Sequence, residues 1–214
     1  MASSGMGCSV GSTALLLLDL VNDVVHPDGA YGRAGLVTAE VRSLPARLAP
    51  LAADVRATGG WVISAPLTFV EGRNGEPFIP EQLRRLRPFL GKGDFKPGSW
   101  GHQLADALEP ADITIEKITY SAFYMTRLEW VLHQAHIDRL LIAGMSTNAS
   151  VVATVRDAQQ RDFGVIVAED GCACFEEVSH RSAISDLAKI AEIRSIAQLR
   201  ASCSQQALSG GAAG

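Results

Sequence analysis

No stretch of this 214-residue chain is rich in lysine or arginine, and 19 basic against 23 acidic residues leave a formal net charge of -4. Such a chain carries no field that would concentrate nucleic acid, so a small-molecule partner is expected instead. Cysteine is scarce as well. Cys8, Cys172, Cys174 and Cys203 lack the paired spacing of a zinc site, and nothing points to a disulfide framework, so reduced thiols in a cytoplasm fit best. Long apolar runs are missing: the run at 14–18 is cut by Asp19, too short to span a membrane and a poor signal peptide. A glycine-rich phosphate loop is also absent, because Asp19-Leu20-Val21-Asn22-Asp23 follows the first apolar run, which argues against a flavodoxin-like or nucleotide-binding domain. The histidines are scattered, and His133 and His136 read as a solvated helix face rather than a ligand pair.

What the chain does have is apolar mass. Hydrophobic residues make up 47%, enough for one well-buried domain without metals or disulfides. Residues 1–12 and the tail from 204 to 214 are small and polar and are expected to be loose, leaving a folded body over 13–203. Short apolar runs at 14–18, 61–65, 140–143 and 165–168, with weaker ones at 112–115 and 191–193, suit parallel strands covered on both faces. Helical patterns at 38–58, 103–108, 126–135, 150–161 and 178–189 alternate with them. The expected fold is therefore α/β: an open, doubly wound, mainly parallel sheet of about six strands with helices on both faces. The long segment 66–99 has no sustained periodicity, and such a loop in a compact domain is usually functional.

Ligands of open parallel sheets sit beyond the carboxyl ends of the strands, so function is read from the residues that follow each run. Asp19 follows the first, where a general base or acid would be useful. Lys117 follows the weak run at 112–115, where its ammonium could steady the aspartate and nearby negative charge. Gly144 through Ser150 carry a strand through a small-residue turn into a helix, presenting backbone N–H groups to the crevice. Taken singly, each has an ordinary explanation as a turn cap, a solvated lysine or a strand-to-helix turn.

Together, Asp19-Leu20-Val21-Asn22-Asp23, Lys117-Ile118-Thr119-Tyr120-Ser121-Ala122-Phe123 and the stretch from Gly144 to Ala158 resemble the cysteine-hydrolase branch of the isochorismatase-like superfamily. The resemblance covers nearly the whole folded chain. It implies that Asp19 is the base, that Lys117 orients it, and that position 150 carries the nucleophile. It further implies a cis peptide between Met145 and Ser146, an oxyanion hole from the backbone N–H groups of Ser146 and Ser150, and a homodimer or homotetramer. Val21, Val24 and Ser150 depart from the pattern. The third departure matters most, since the family has cysteine there: a hydroxyl is far harder to ionise than a thiol, and no histidine is positioned to help. The closeness of the remaining match favours an engineered cysteine-to-serine change over a natural serine hydrolase.

Nicotinamidases of this superfamily bind a metal through an aspartate and histidines after the second strand. Here Pro66-Leu67-Thr68-Phe69-Val70-Glu71 has no histidine near it, so no metal and no other cofactor are expected. Gly98-Ser99-Trp100-Gly101 resembles a segment of the carbamoyl, ureido and biuret branch, which implies a small amide or ureide substrate. Phe69, Trp100, Tyr120 and Phe123 are candidates to wall the pocket, and Arg33, Arg73 and Lys96 are candidates to meet an anionic end. Two other readings keep the fold: isochorismatase-type vinyl ether cleavage with Asp19 as general acid, and a non-catalytic ligand-binding relative.

Overall fold

In the computed structural model, which describes residues 13–210, every apolar run becomes a strand of one sheet. The strands are β1 (Thr13–Leu18), β2 (Trp61–Ala65), β3 (Ile113–Thr114), β4 (Arg139–Met145), β5 (Gly164–Ala173) and β6 (Glu192–Arg194). All neighbours pair in parallel, in the order β3-β2-β1-β4-β5-β6. Eight helices connect them among the described residues: α1 (Asn22–Val25), α2 (Ala30–Arg33), α3 (Ala39–Ala57), α4 (Glu81–Leu86), α5 (Leu128–Gln134), α6 (Val152–Gln159), α7 (Glu177–Leu187) and α8 (Ile196–Gly210).

The period of two along each strand divides the core in two. Leu15 and Leu17 of β1, with Leu141 and Ala143 of β4, pack under α3 and α8. Leu16 and Leu18, with Leu140 and Ile142, pack under α5, α6 and α7. All of these side chains are buried, which explains runs that are apolar at every position. Thr38 caps α3, its hydroxyl accepting from the Val41 N–H at 3.2 Å, and Gly59 at φ 78° follows the helix end.

Two expectations need correction. The stretch at 103–108 is not an α-helix; it holds a single 3-10 turn, Asp106–Leu108, after another at Trp100–His102. Its apolar residues Leu104, Ala105 and Leu108 are buried in the core that α3 covers, where the chain pairs with Leu20 and Val21 just beyond β1, so burial rather than helical periodicity explains them. At the other end, α8 continues through Gly210, past the boundary placed at 204, because Ile196, Leu199 and Cys203 anchor it to the core. The segment 66–99, which has no sustained periodicity, holds only the six-residue α4 and a 3-10 turn at Arg73–Gly75. The expectation for residues 1–12 lies outside the described residues. No described helix is long and apolar enough to cross a membrane.

Candidate active site

Sheet order fixes where a ligand can sit. The chain leaves β1 toward β2 and β3 and returns to pair β4 on the other side of β1, so the direction of winding reverses between β1 and β4. Asp19 lies at the carboxyl end of β1 and Ser146–Ser150 follow β4. Gly144, paired with Leu18, lets the two strands close here: at φ 136° a Cβ would lie 2.1 Å from the Leu18 carbonyl oxygen. Asp19 itself turns out of the strand at φ 55°, a conformation aspartate tolerates better than most residues.

Lys117 reaches the same point from beyond β3. Its backbone N–H donates to the Pro66 carbonyl at 3.0 Å, and its carbonyl accepts from the Thr68 N–H at 2.8 Å, extending the pairing of β2 and β3 by one bridge. The lysine is 1% exposed, and its Nζ lies 2.7 Å from Asp19 Oδ2. It also donates to the Thr119 carbonyl at 3.2 Å. A lysine this deep is stable only with its charge paired and its donors used.

Ser150 completes the group. Its Oγ donates to Asp19 Oδ2 at 2.7 Å and lies 3.5 Å from Lys117 Nζ, while Asp19 Oδ1 accepts from the Leu67 N–H at 2.6 Å. The serine sits in a π-helical turn, Thr147–Val151, that runs into α6. The N–H groups of Ala149 and Val151 both donate to the Ser146 carbonyl, at 3.1 and 3.2 Å, and the peptide between Met145 and Ser146 is cis. Helix and strand alone would not bring position 150 onto the carboxylate; this turn does.

The three side chains open into a cavity of about 450 Å³. Of the four aromatic candidates, Tyr120 lines it. Phe69 packs in the core on Phe95, Phe123 packs on Phe163 under Arg161, and Trp100 points outward with its edge against His26; none of these three is among the lining residues. The cationic candidates also lie elsewhere: Arg33 pairs with Asp94, Lys96 pairs with Glu71, and Arg73 is exposed. The walls are instead formed by Tyr31, Phe95 and Phe175, with Leu83, Leu86 and Arg87 from the α4 region.

Asp23, the last residue of the first motif, organises those walls. Its Oδ1 accepts from the Ala30 N–H at 3.0 Å and its Oδ2 from the Phe95 N–H at 2.7 Å, so one buried carboxylate orders both α2 and the loop after α4. Gly101 lies against it, where a Cβ would come within 2.4 Å of the carboxylate. Within Gly98-Ser99-Trp100-Gly101, close packing therefore accounts for the last glycine, while the Trp100 carbonyl accepts from Asn22 at 2.9 Å.

Other reactive groups stand apart. Cys172 is buried and hydrogen-bonded to a backbone carbonyl, and burial pushes its thiol up to about 12. Cys174 contacts Asn148 at 3.3 Å. No group of three or more histidine, cysteine, aspartate or glutamate side chains among the described residues is arranged to hold a metal ion.

Comparison with known proteins places the fold. Ureidoacrylate amidohydrolase RutB of Methylobacterium radiotolerans is 31% identical over 191 residues, 82% of this chain and 73% of the relative. A cysteine hydrolase of Pseudomonas syringae pv. phaseolicola shares the fold with a TM-score of 0.80 at 21% identity, over 93% of this chain and 95% of that one. Nicotinamidase/pyrazinamidase PncA of Bacillus subtilis superposes with a TM-score of 0.71 at 25% identity, over 85% and 98%. The isochorismatase domain family matches residues 13–198, a span that takes in all six strands together with Asp19, Lys117 and Ser150, and the chain belongs to the isochorismatase family of hydrolases.

Proposed function

We propose that this protein is an amidohydrolase that cleaves a C–N bond of a small carboxamide or ureido substrate through an acyl-enzyme at position 150. The observation that carries the reading is the short contact from Ser150 Oγ to Asp19 Oδ2, with Lys117 on the same oxygen. In the cysteine form, Asp19 takes the thiol proton as the sulfur attacks the substrate carbonyl carbon. The oxyanion that forms accepts from the backbone N–H groups of Ser146 and Ser150. Collapse breaks the C–N bond, and the proton on Asp19 goes to the departing nitrogen. Water, deprotonated by Asp19, then attacks the thioester and releases the acid, restoring the thiol.

With serine at position 150 the same geometry is present but the nucleophile is not activated to the same degree. Aspartate and lysine suit a thiol, whose proton leaves some seven orders of magnitude more readily than that of an alcohol (roughly, by ordinary acidities). We read Ser150 as a replacement that leaves binding intact and slows or stops turnover. No metal or other cofactor is needed for these steps, and a homodimer or homotetramer in a reducing cytoplasm completes the proposal.

Ammonia release from a panel of carboxamides, ureides, biuret and nicotinamide tests the reading, run with the chain as it stands and with Ser150→Cys. Activity confined to the cysteine variant supports it. Silence of both across the panel sinks it in favour of vinyl ether chemistry or ligand binding without turnover.

A further inference from the structure

Three charged side chains line the cavity: Asp19, Lys117 and Arg87. The first two neutralise each other at 2.7 Å, which leaves Arg87 as the uncompensated charge of the wall. Among the described residues Arg87 forms no ion pair. One of its guanidinium N–H groups donates to the neighbouring Leu86 carbonyl at 2.9 Å and another to the Tyr31 hydroxyl, which leaves N–H groups of the fork for a ligand.

The setting favours an anion. Tyr31 and Phe175 stack at 5.1 Å with 7° between their planes, and the Arg87 guanidinium lies 6.0 and 5.6 Å from the two ring centres. Aromatic support holds the planar fork in one orientation, and a half-buried cation that has lost hydration gains from an anion brought by the ligand. Burial raises the Tyr31 hydroxyl above its ordinary value, although Arg87 pulls the other way, so the hydroxyl keeps its proton and stays a donor.

We infer that Arg87, backed by Tyr31 and Phe175, binds a carboxylate of the substrate, so that the amide or ureide cleaved at position 150 carries an acidic group at its far end. The inference rests on the amidohydrolase reading and narrows its substrate class. It also replaces Arg33, Arg73 and Lys96 as the source of the anion contact with a residue from the end of α4.

Succinamate and succinamide test it, since they differ only in a carboxylate against a carboxamide; N-carbamoyl-β-alanine and its amide extend the comparison to ureides. In the Ser150→Cys variant, kcat/KM should favour the acids by about tenfold to hundredfold. Arg87→Gln should abolish that preference through KM, with kcat little changed, and Arg87→Lys should restore part of it. Equal handling of acids and neutral amides, or a preference that survives Arg87→Gln, overturns the inference.

Calorimetry on the Ser150 chain separates this from the question of chemistry. Succinamate should bind at least about tenfold more weakly to Arg87→Gln, with thermal unfolding confirming that the variant is folded. Acid binding that depends on Arg87, in a protein whose cysteine variant hydrolyses nothing, would leave the anion site standing and remove the amidohydrolase reading. Hydrolysis without any Arg87-dependent acid binding would do the reverse.

Discussion

Lys117 and Ser150 share one oxygen of Asp19: both approach Oδ2 at 2.7 Å, while Oδ1 is taken by the Leu67 N–H. A buried cation, a buried carboxylate and a hydroxyl thus hold one another in register, and changing any of them should be felt in both stability and turnover.

Breaking the pair should be costly. Lys117→Met leaves Asp19 as a buried carboxylate without its cation and should destabilise the fold by about 3–5 kcal/mol. Asp19→Asn should reduce ammonia release in the Ser150→Cys background by roughly 10²- to 10⁴-fold, the range for a lost general base. Urea unfolding of the two single variants and their double should give a double-variant cost below the sum of the singles, because the second change removes a charge the first had stranded. Additive costs would mean the two groups do not depend on each other.

Gly144 sets the distance between the strands that carry the site. With φ at 136° and room for a Cβ only 2.1 Å from the Leu18 carbonyl oxygen, Gly144→Ala should cost about 3 kcal/mol or more. Gly164→Ala is the control: a Cβ there meets its nearest neighbour at an ordinary 3.5 Å, and the change should alter stability by less than about 1 kcal/mol. Thermal unfolding of the two variants should therefore differ clearly, and similar midpoints would contradict the close approach.

His102 gives the fold a sensitivity to mild acid. Its ring Nε2 lies 2.7 Å from the Thr68 hydroxyl, and Thr68 in turn holds the Lys117 carbonyl. Burial lowers its pKa below the ordinary 6.5, opposed in part by the carboxylates of Glu116, Asp23 and Asp19. As pH falls through 6.5 the unfolded chain takes up a proton that the folded chain resists, so the unfolded state binds more protons and stability declines. Between pH 7.5 and 5.0 the protein should lose more stability than its His102→Gln variant, compared by urea unfolding at each pH. Equal losses would show that the histidine is not the group responsible.

The strands and the Asp19, Lys117 and Ser150 group were legible for a local reason. Residues buried on both faces of a parallel sheet must be apolar throughout, and Asp19, which ends the first run, is delivered to the crevice by topology, whereas Lys117 and Ser150 lie beyond their strands and are marked by the resemblance of their motifs. The cavity walls were not legible. Tyr31 sits on a four-residue helix, Phe175 follows β5, and Arg87 ends a six-residue helix, so no periodic pattern marks them. What brings the first of these to the cavity is Asp23, whose carboxylate bonds to backbone N–H groups 7 and 72 residues away. Phe69 and Phe123 lie close to the motifs in sequence or within them, yet their side chains pack into the core. At 103–108, residues buried in an irregular stretch beside Leu20–Asn22 imitate a helix face over so short a span.

The central claim is that position 150 carries the nucleophile, and peptide mapping of an acid-quenched reaction tests it most directly. Ser150→Cys mixed with an amide that it turns over should show the acyl mass on the peptide containing position 150, appearing before steady state and absent from an Asp19→Asn companion. Turnover with no adduct at position 150 at any quench time, and with Ser150→Ala as active as Ser150→Cys, would contradict it.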